Sequence, residues 1–336
     1  MLKISDISEF NLIKRIESVL LAHANPNPTS HVHTSIGDDA AVISAMDTIQ
    51  VVTTDTMVEN IHFRNETTTM IELGWKAIAV NYSDIAAMGC EPIYSVVTLG
   101  LRPDQLVESI EDIYRGFCEI VNRHGGEIVG GDIVRSDTFF ISVTVVGQSK
   151  SGNVLKRNSA KVGDLIGITG HLGCSRAGLS ALQKPLAVDE ETKKHLIGSH
   201  NMPNPKLNEG IKLADYGIKT AMDISDGLIN DLTKICEASS VGASIKSDTL
   251  PIDKYLKLAF PERYLEFATS GGEDYELLFT GPPDIMEAIN DQAIINMKLV
   301  GSIIEGPSKV SIVDSKGNDL PTSTGGWDHF KENRDN

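Results

Sequence analysis

Aspartates recur in this chain at the ends of apolar segments, beside glycine, serine or threonine. In order, the stretches are IGDDAAVI with Asp38 and Asp39, TTDT with Asp55, NYSDIAAMG with Asp84, VGGDIV with Asp132, and MDISDG with Asp223 and Asp226. A carboxylate buried without a partner is costly, so each such position needs a reason. Small neighbours let a backbone or ligand approach closely, and their hydroxyls and carbonyls are further oxygen donors. Mg2+ takes oxygen ligands in octahedral array and leaves places for water and phosphate oxygens. A nucleotide site with several Mg2+ ions would need this inventory. Taken singly, Asp before Gly often only makes a turn, and Asp or Ser often only caps a helix. Asp84 is different, because it lies inside an apolar helical pattern where Asp has poor propensity and no cap to form. The stretches together favour metal. Asp231, one turn beyond Asp226, reads as a solvated helix residue.

The elements that must position these groups are legible as an alternation of helices and strands. Ile13, Ile16 and Leu20 recur at helical spacing near the N-terminus. IQVVTTDT and IYSVVTLGL read as strands, and residues 71–88 between them as a helix closed by Gly89. Leu106, Ile110, Ile113, Phe117 and Ile120 mark a strongly amphipathic helix that ends at Gly125-Gly126. EIVGGD and FFISVTVVG follow as strands. Near residue 150 the texture turns polar and Gly-bearing, which predicts a linker. A second α/β pattern then runs to the C-terminus. The expected fold class is α/β (α+β) in two domains, residues 1–150 and 151–336.

Composition bounds the rest. At 336 residues the chain is long for one core. A net charge of −16 argues against binding nucleic acid through its phosphates, but not against an anionic substrate that arrives with metal. No run is long and apolar enough for a membrane span, and the first residues lack the apolar core of a signal peptide, so a cytoplasmic protein is expected. Cys90, Cys118, Cys174 and Cys236 are scattered without a C-x-x-C pair, so buried thiols are expected rather than a zinc site or disulfides. His23, His31, His33, His195 and His200 read as solvated. The chain has no G-x-x-x-x-G-K-[ST] loop, no protein-kinase motif set and no G-x-G-x-x-G, so any use of ATP needs another scaffold.

The pieces IGDDAAVI, TTDTMVENIHF, KAIAVNYSDIAAMGCEP, VGGDIVRSD, RNSAKVGDLIGITG, DISDGLINDL, SGGEDYELLFT and GWDHF span residues 36 to 330. In this order they resemble the thiamine-monophosphate kinases. That family sits in a superfamily with aminoimidazole ribonucleotide synthetase and selenophosphate synthetase. The resemblance implies an N-terminal α/β domain that binds ATP and Mg2+ and pairs its sheet across a homodimer. A C-terminal α/β domain would complete the active site. The implied reaction is ATP plus thiamine monophosphate giving ADP plus thiamine diphosphate by direct transfer.

Carried over by position, Asp38 or Asp39, with Thr53, Thr54, Asp55, Asp84, Asp132, Asp223 and Asp226, would bind Mg2+. Tyr114, Gly131, Asp132, Arg157 and Ser225 would contact ATP. His62, Glu273 and Trp327 would contact the thiamine part. The chain departs from the family's common pattern with Asn60 and Ile133, where Gly and Thr are usual, and with Trp327, where Tyr is usual. Trp327 keeps a π face for a cationic thiazolium. Read from the residues alone, Tyr114, His62, Glu273 and Trp327 are packing or strand-end residues. Two rivals remain. One is another ATP-dependent enzyme of the superfamily, although selenophosphate synthetase would need a reactive Cys near the N-terminus and none precedes Cys90. The other is a binding protein that holds ATP with Mg2+ and releases no ADP.

Overall fold

A computed structural model describes residues 2–23, 32–34, 42–43 and 47–321. Asp38, Asp39 and Trp327 lie outside the described residues. The elements in order are α1 (Glu9–Ala22), β1 (Val32–Thr34), β2 (Val42–Ile43), β3 (Ile49–Val58), α2 (Met70–Ala87), β4 (Glu91–Leu101), α3 (Val107–His124), β5 (Glu127–Arg135) and β6 (Phe140–Ser149). They continue with β7 (Leu165–Thr169), α4 (Cys174–Gln183), α5 (Glu190–Asn201), α6 (Leu207–Asp215), β8 (Thr220–Asp223) and α7 (Leu228–Ser239). The last are β9 (Gly242–Lys246), α8 (Lys254–Ala259), α9 (Tyr264–Ser270), β10 (Leu277–Gly281), α10 (Pro283–Asp291), β11 (Met297–Ile304) and β12 (Val310–Val313). The chain divides into two units. One is Met1–Val154 with Asn201–Asp215, and the other is Leu155–His200 with Tyr216–Asn336.

In the first unit, four strands form a sheet in the order β3-β6-β4-β5. The pairs β3/β6 and β4/β6 are antiparallel, and β4/β5 is parallel. One face is apolar, with Val97, Leu99, Ile141, Val143 and Val145 buried on the side that carries α2. Helix α2 starts at a capping box: Thr69 Oγ1 accepts from Glu72 N at 3.2 Å, and Glu72 Oε2 accepts from Thr69 N at 2.8 Å. It is buried nearly all round, from Leu73 through Ser83 and again from Ile85 to Ala87. Helices α2 and α3 cross where both lack side chains. A Cβ on Gly74 would sit 2.1 Å from Ile113 O, and one on Gly116 would sit 2.1 Å from Ile71 O. The other face of the sheet carries apolar residues in the open, with Val52 67% exposed and Val96 and Val134 each 39%.

The segment 201–215 returns to this unit, which the change of texture near residue 150 did not signal. Trp75 Nε1 donates to Pro203 O at 2.7 Å, and a Cβ on Gly210 of α6 would sit 2.0 Å from Ala86 O of α2. The Trp75 ring also meets His124 edge-on at 6.4 Å. Burial, helped by Arg123, pushes His124 down to about 4. The folded protein therefore holds His124 neutral, whereas the unfolded chain protonates it below about 6.5. Its contribution to stability is present above pH 6.5 and is lost as the pH falls toward 4. Urea midpoints should thus fall more steeply over that window in the wild type than in His124→Gln. Parallel curves would count against this role.

The second unit has a six-stranded mixed sheet in the order β12-β9-β11-β7-β10-β8, in which only β12/β9 is parallel among the described pairs. Its core joins Ile166, Ile168, Met222, Leu278 and Val300 to Leu228, Leu232 and Ile235 of α7. β8 is an edge strand whose last residue, Asp223, pairs with the first residue of β10, Leu277. Two loops therefore meet at one end of this sheet.

Candidate active site

Strand alternation sets the first acidic group. Thr53 and Asp55 pair with Val145 and Val143 of β6, so they share the face that packs on α2. Asp84 reaches that face from within α2, and Thr53 Oγ1 donates to Asp84 Oδ2 at 2.5 Å. Burial, and then the charge of Asp84, pushes Asp55 up to about 6. Two carboxylates and a hydroxyl are hard oxygen donors, and the strain on Asp55 is the kind that a cation relieves. This group fits Mg2+.

Other residues of the first unit stand elsewhere. Thr54 lies on the opposite face of the sheet, where it donates to Val143 O at 3.0 Å and accepts from Thr144 Oγ1 at 3.1 Å. The register from Asp132 through Thr98 and Ser142 to Thr56 puts Asp132 on that same outer face, exposed. Gly131 beside it has no room for a side chain, because a Cβ would sit 2.0 Å from Val97 O. Tyr114 is buried in α3 with its ring 5.0 Å from Phe117. Burial holds its phenol above the ordinary range. His62 Nδ1 accepts from Val58 N at 3.0 Å, which leaves Nε2 as the protonated nitrogen of a neutral ring. Asn60 adopts φ 66°, a left-handed conformation that Asn tolerates.

The second group lies where β8 runs into α7. Asp223 is buried at the strand end, and Ser225 and Asp226 are half-buried in the following turn. That turn is zipped to the loop before β10. Ser225 O accepts from Glu273 N at 2.8 Å, Ile224 O from Tyr275 N at 2.9 Å, and Glu276 O from Ile224 N at 2.8 Å. Such proximity needs Gly272, whose Cβ would sit 2.7 Å from Ser225 O. Arg157 is exposed, and its carbonyl accepts from Ser239 Oγ at 3.0 Å.

Two expectations are corrected here. Asp231 is not solvated: it is fully buried and takes the backbone N–H groups of Ser225 at 3.0 Å and Asp226 at 2.9 Å. Lys234 Nζ bridges Asp231 Oδ1 at 2.7 Å and Asp226 Oδ2 at 2.6 Å. Burial pushes Asp231 up, against the pull of Lys234. Burial also opposes the Lys234 charge, but the two carboxylates outweigh it and hold that pKa up. An acid in the first turn of a helix that follows a Gly-bearing turn was the available signal. His200 is also buried, at 6% exposure. Its Nδ1 lies 3.0 Å from Ser175 Oγ and 3.3 Å from Glu273 Oε2. Asp274, also missed, accepts from Gly173 N at 2.7 Å and Ser175 N at 3.2 Å.

Glu273 and Tyr275 adopt φ 65° and φ 50°. A left-handed residue with a Cβ costs about 1–2 kcal/mol, and such strain gathers at functional sites. Glu273→Gly should therefore fold at least as stably as the wild type. If Glu273 contacts substrate, its KM for thiamine monophosphate should rise about tenfold, the scale of one lost hydrogen bond. Thermal unfolding and steady-state kinetics check the two halves, and an unchanged KM would remove Glu273 from the site.

Both halves of the chain match models of one class. Residues 37–149 match the AIR synthase related protein N-terminal domain, and residues 161–314 match its C-terminal domain. Within that class, the thiamine-monophosphate kinase of Bacillus subtilis (strain 168) is 34% identical over 333 residues, 97% of this chain and all of the relative. That of Salmonella typhimurium is 39% identical over 254 residues, 75% of this chain and 77% of the relative. The crystal structure of thiamine-monophosphate kinase from Stenotrophomonas maltophilia K279a aligns with a TM-score of 0.79 at 32% identity, covering 91% of this chain and 96% of that one. AaThiL complexed with AMPPCP and TMP aligns at 0.76 and 31% identity, covering 98% and 99%. The chain belongs to the thiamine-monophosphate kinase family.

Proposed function

We propose that this chain transfers the terminal phosphoryl group of ATP to the phosphate of thiamine monophosphate, giving ADP and thiamine diphosphate. The carrying observation is the Thr53–Asp55–Asp84 group on a chain that aligns end to end with thiamine-monophosphate kinases. Both reactants are phosphates, so their mutual repulsion is the main obstacle. Mg2+, when bound, neutralises that charge and orients the oxygens of an in-line transfer. Thr53, Asp55 and Asp84 would hold one such ion; the resemblance also assigns Mg2+ to Thr54 and Asp132 on the other sheet face, to Asp223 and Asp226 of the second unit, and to Asp38 or Asp39. The acceptor phosphate, with a second pKa of about 6, is already largely ionised at neutral pH, so no strong general base is needed.

Tyr114, Gly131, Asp132, Arg157 and Ser225 contact ATP in this reading, with Arg157 as a planar cationic donor. His62 and Glu273 contact the thiamine part, as does Trp327 beyond the described residues. Residues 1–150 act as the ATP-binding and dimerisation domain, and residues 151–336 supply Arg157, Asp223, Ser225, Asp226 and Glu273. Among the described residues, no helix is long and apolar enough to cross a membrane. We place the reaction in the cytoplasm.

The open sheet face, where Val52, Val96 and Val134 are exposed among polar residues such as Thr54 and Asp132, supports a homodimer, because a second copy can cover apolar side chains left in the open. Val52→Glu should shift the protein toward monomer in light scattering. An unchanged mass would move the interface elsewhere.

The decisive experiment is 31P NMR of the purified protein with ATP, Mg2+ and thiamine monophosphate, repeated with Asp226→Asn. Thiamine diphosphate and ADP should appear together and fall sharply in the variant. If ATP survives until a different acceptor is added, the fold assignment stands and the substrate is wrong. If ATP binds without any turnover, the chain is a binder.

A further inference from the structure

Apart from the residues assigned to the kinase reaction, three segments of the second unit bring together a thiol, two imidazoles and a carboxylate. Cys174 is the first residue of α4, His195 lies on α5, and Asp253 caps the start of α8. One ligand atom from each, the thiol sulfur, a ring nitrogen and a carboxylate oxygen, all lie within 4.8 Å of one another. Asp253 divides its oxygens. Oδ1 accepts from Tyr255 N at 2.7 Å, whereas Oδ2 stands 3.4 Å from His195 Nε2 and 3.8 Å from His171 Nδ1.

The second sphere is also built. The His195 ring stacks at 4.5 Å on Tyr255, whose hydroxyl donates to Glu191. Leu172 N donates to Pro251 O at 2.9 Å, which ties the His171–Cys174 turn to the Asp253 segment. Asp274 holds the backbone on both sides of Cys174 through Gly173 N and Ser175 N. Cys174 is 6% exposed and Asp253 12%, while His195 opens to solvent at 39%. The cluster therefore has a rigid floor and an entry path.

We propose that Cys174, His195 and Asp253 form a zinc-class metal site, with water as the fourth ligand and His171 beside the cluster. The donor set decides the class. Thiolate with imidazole suits Zn2+ and its borderline-soft neighbours, whereas Mg2+ takes oxygen ligands. In a tetrahedral zinc centre with bonds of about 2.0–2.3 Å, ligand atoms stand about 3.3–3.8 Å apart. The His195–Asp253 separation of 3.4 Å already matches, and the sulfur needs to close by no more than about 1.5 Å. Binding exchanges the thiol proton for the metal and releases that proton to solvent. A bound ion would pin the starts of α4 and α8 to α5. None of this depends on the kinase reading.

The test uses the full-length protein stripped with chelator, with excess Mg2+ present to fill all-oxygen sites, and Co2+ and then Zn2+ as probes. Co2+ should give a thiolate-to-cobalt charge-transfer band and the intense visible bands of a tetrahedral centre, both lost when Zn2+ displaces it. Cys174→Ser should abolish the charge-transfer band. If Cys174→Ser does not fold, His195→Ala, on an open helix face, should weaken Zn2+ binding by at least about tenfold, the scale of a disturbed metal shell. Absence of the band, or a band and a Zn2+ affinity that survive these substitutions, would overturn the proposal.

Discussion

Asp84→Asn should leave a folded protein that has lost its kinase activity. Asn fits the same volume and still accepts the Thr53 Oγ1 hydrogen bond seen at 2.5 Å, so α2 and β3 keep their packing. What disappears is one negative charge. In the metal-free protein that charge is a liability, since it helps hold Asp55 at about 6. The variant should therefore unfold at a temperature equal to or higher than the wild type without Mg2+. Mg2+ should raise the unfolding temperature of the wild type and not of the variant, because a ligand stabilises only the state that binds it. Removing one preorganised electrostatic partner of a transferring group typically costs about 10²–10³ in rate, and kcat/KM for ATP and thiamine monophosphate should fall by that much. Thermal scans with and without Mg2+, set beside steady-state kinetics, give both readings. Full activity in a stable Asp84→Asn protein would remove the group from the reaction.

Asp231→Ala should act in the opposite way, through the fold. Asp231 is fully buried, pairs with Lys234 and takes two backbone N–H groups from the turn that carries Ser225 and Asp226. Truncation leaves both donors and the ammonium without that partner. Breaking a buried pair costs about 3–5 kcal/mol, and the lower end applies because Lys234 is 34% exposed and keeps Asp226. Chemical denaturation should show this loss, and activity should fall with it because the turn is no longer held. Asp231→Asn retains one acceptor and should lie between. An Asp231→Ala protein as stable as the wild type would show that Gly272 and the bonds to residues 273–276 hold the turn by themselves.

Much of this was readable from local pattern. The apolar run of α2 and the amphipathic stripe of α3 announced their helices, because periodicity reports how many faces of an element are buried. Asp84 stood out for the same reason: it breaks a pattern that packing alone would have kept apolar. Alternation in TTDT separates Thr53 and Asp55 from Thr54, although nothing in the stretch says which pair meets a helix. Asn60 was legible as a departure from the family, and its φ of 66° explains why the replacement is Asn.

What periodicity omits is the identity of the partner. The return of residues 201–215 to the first unit, the burial of Asp231 and His200, and the meeting of Cys174 with His195 and Asp253 all join residues far apart along the chain or across a turn. By itself the sequence determined the classes of element, the inventory of hard oxygen donors and the family to which the motifs belong. Only the tertiary structure decided which donors share a face and which thiol has imidazole neighbours. Strand register and close glycine crossings set those distances, and they depend on backbones approaching to within a few ångströms across long separations in sequence.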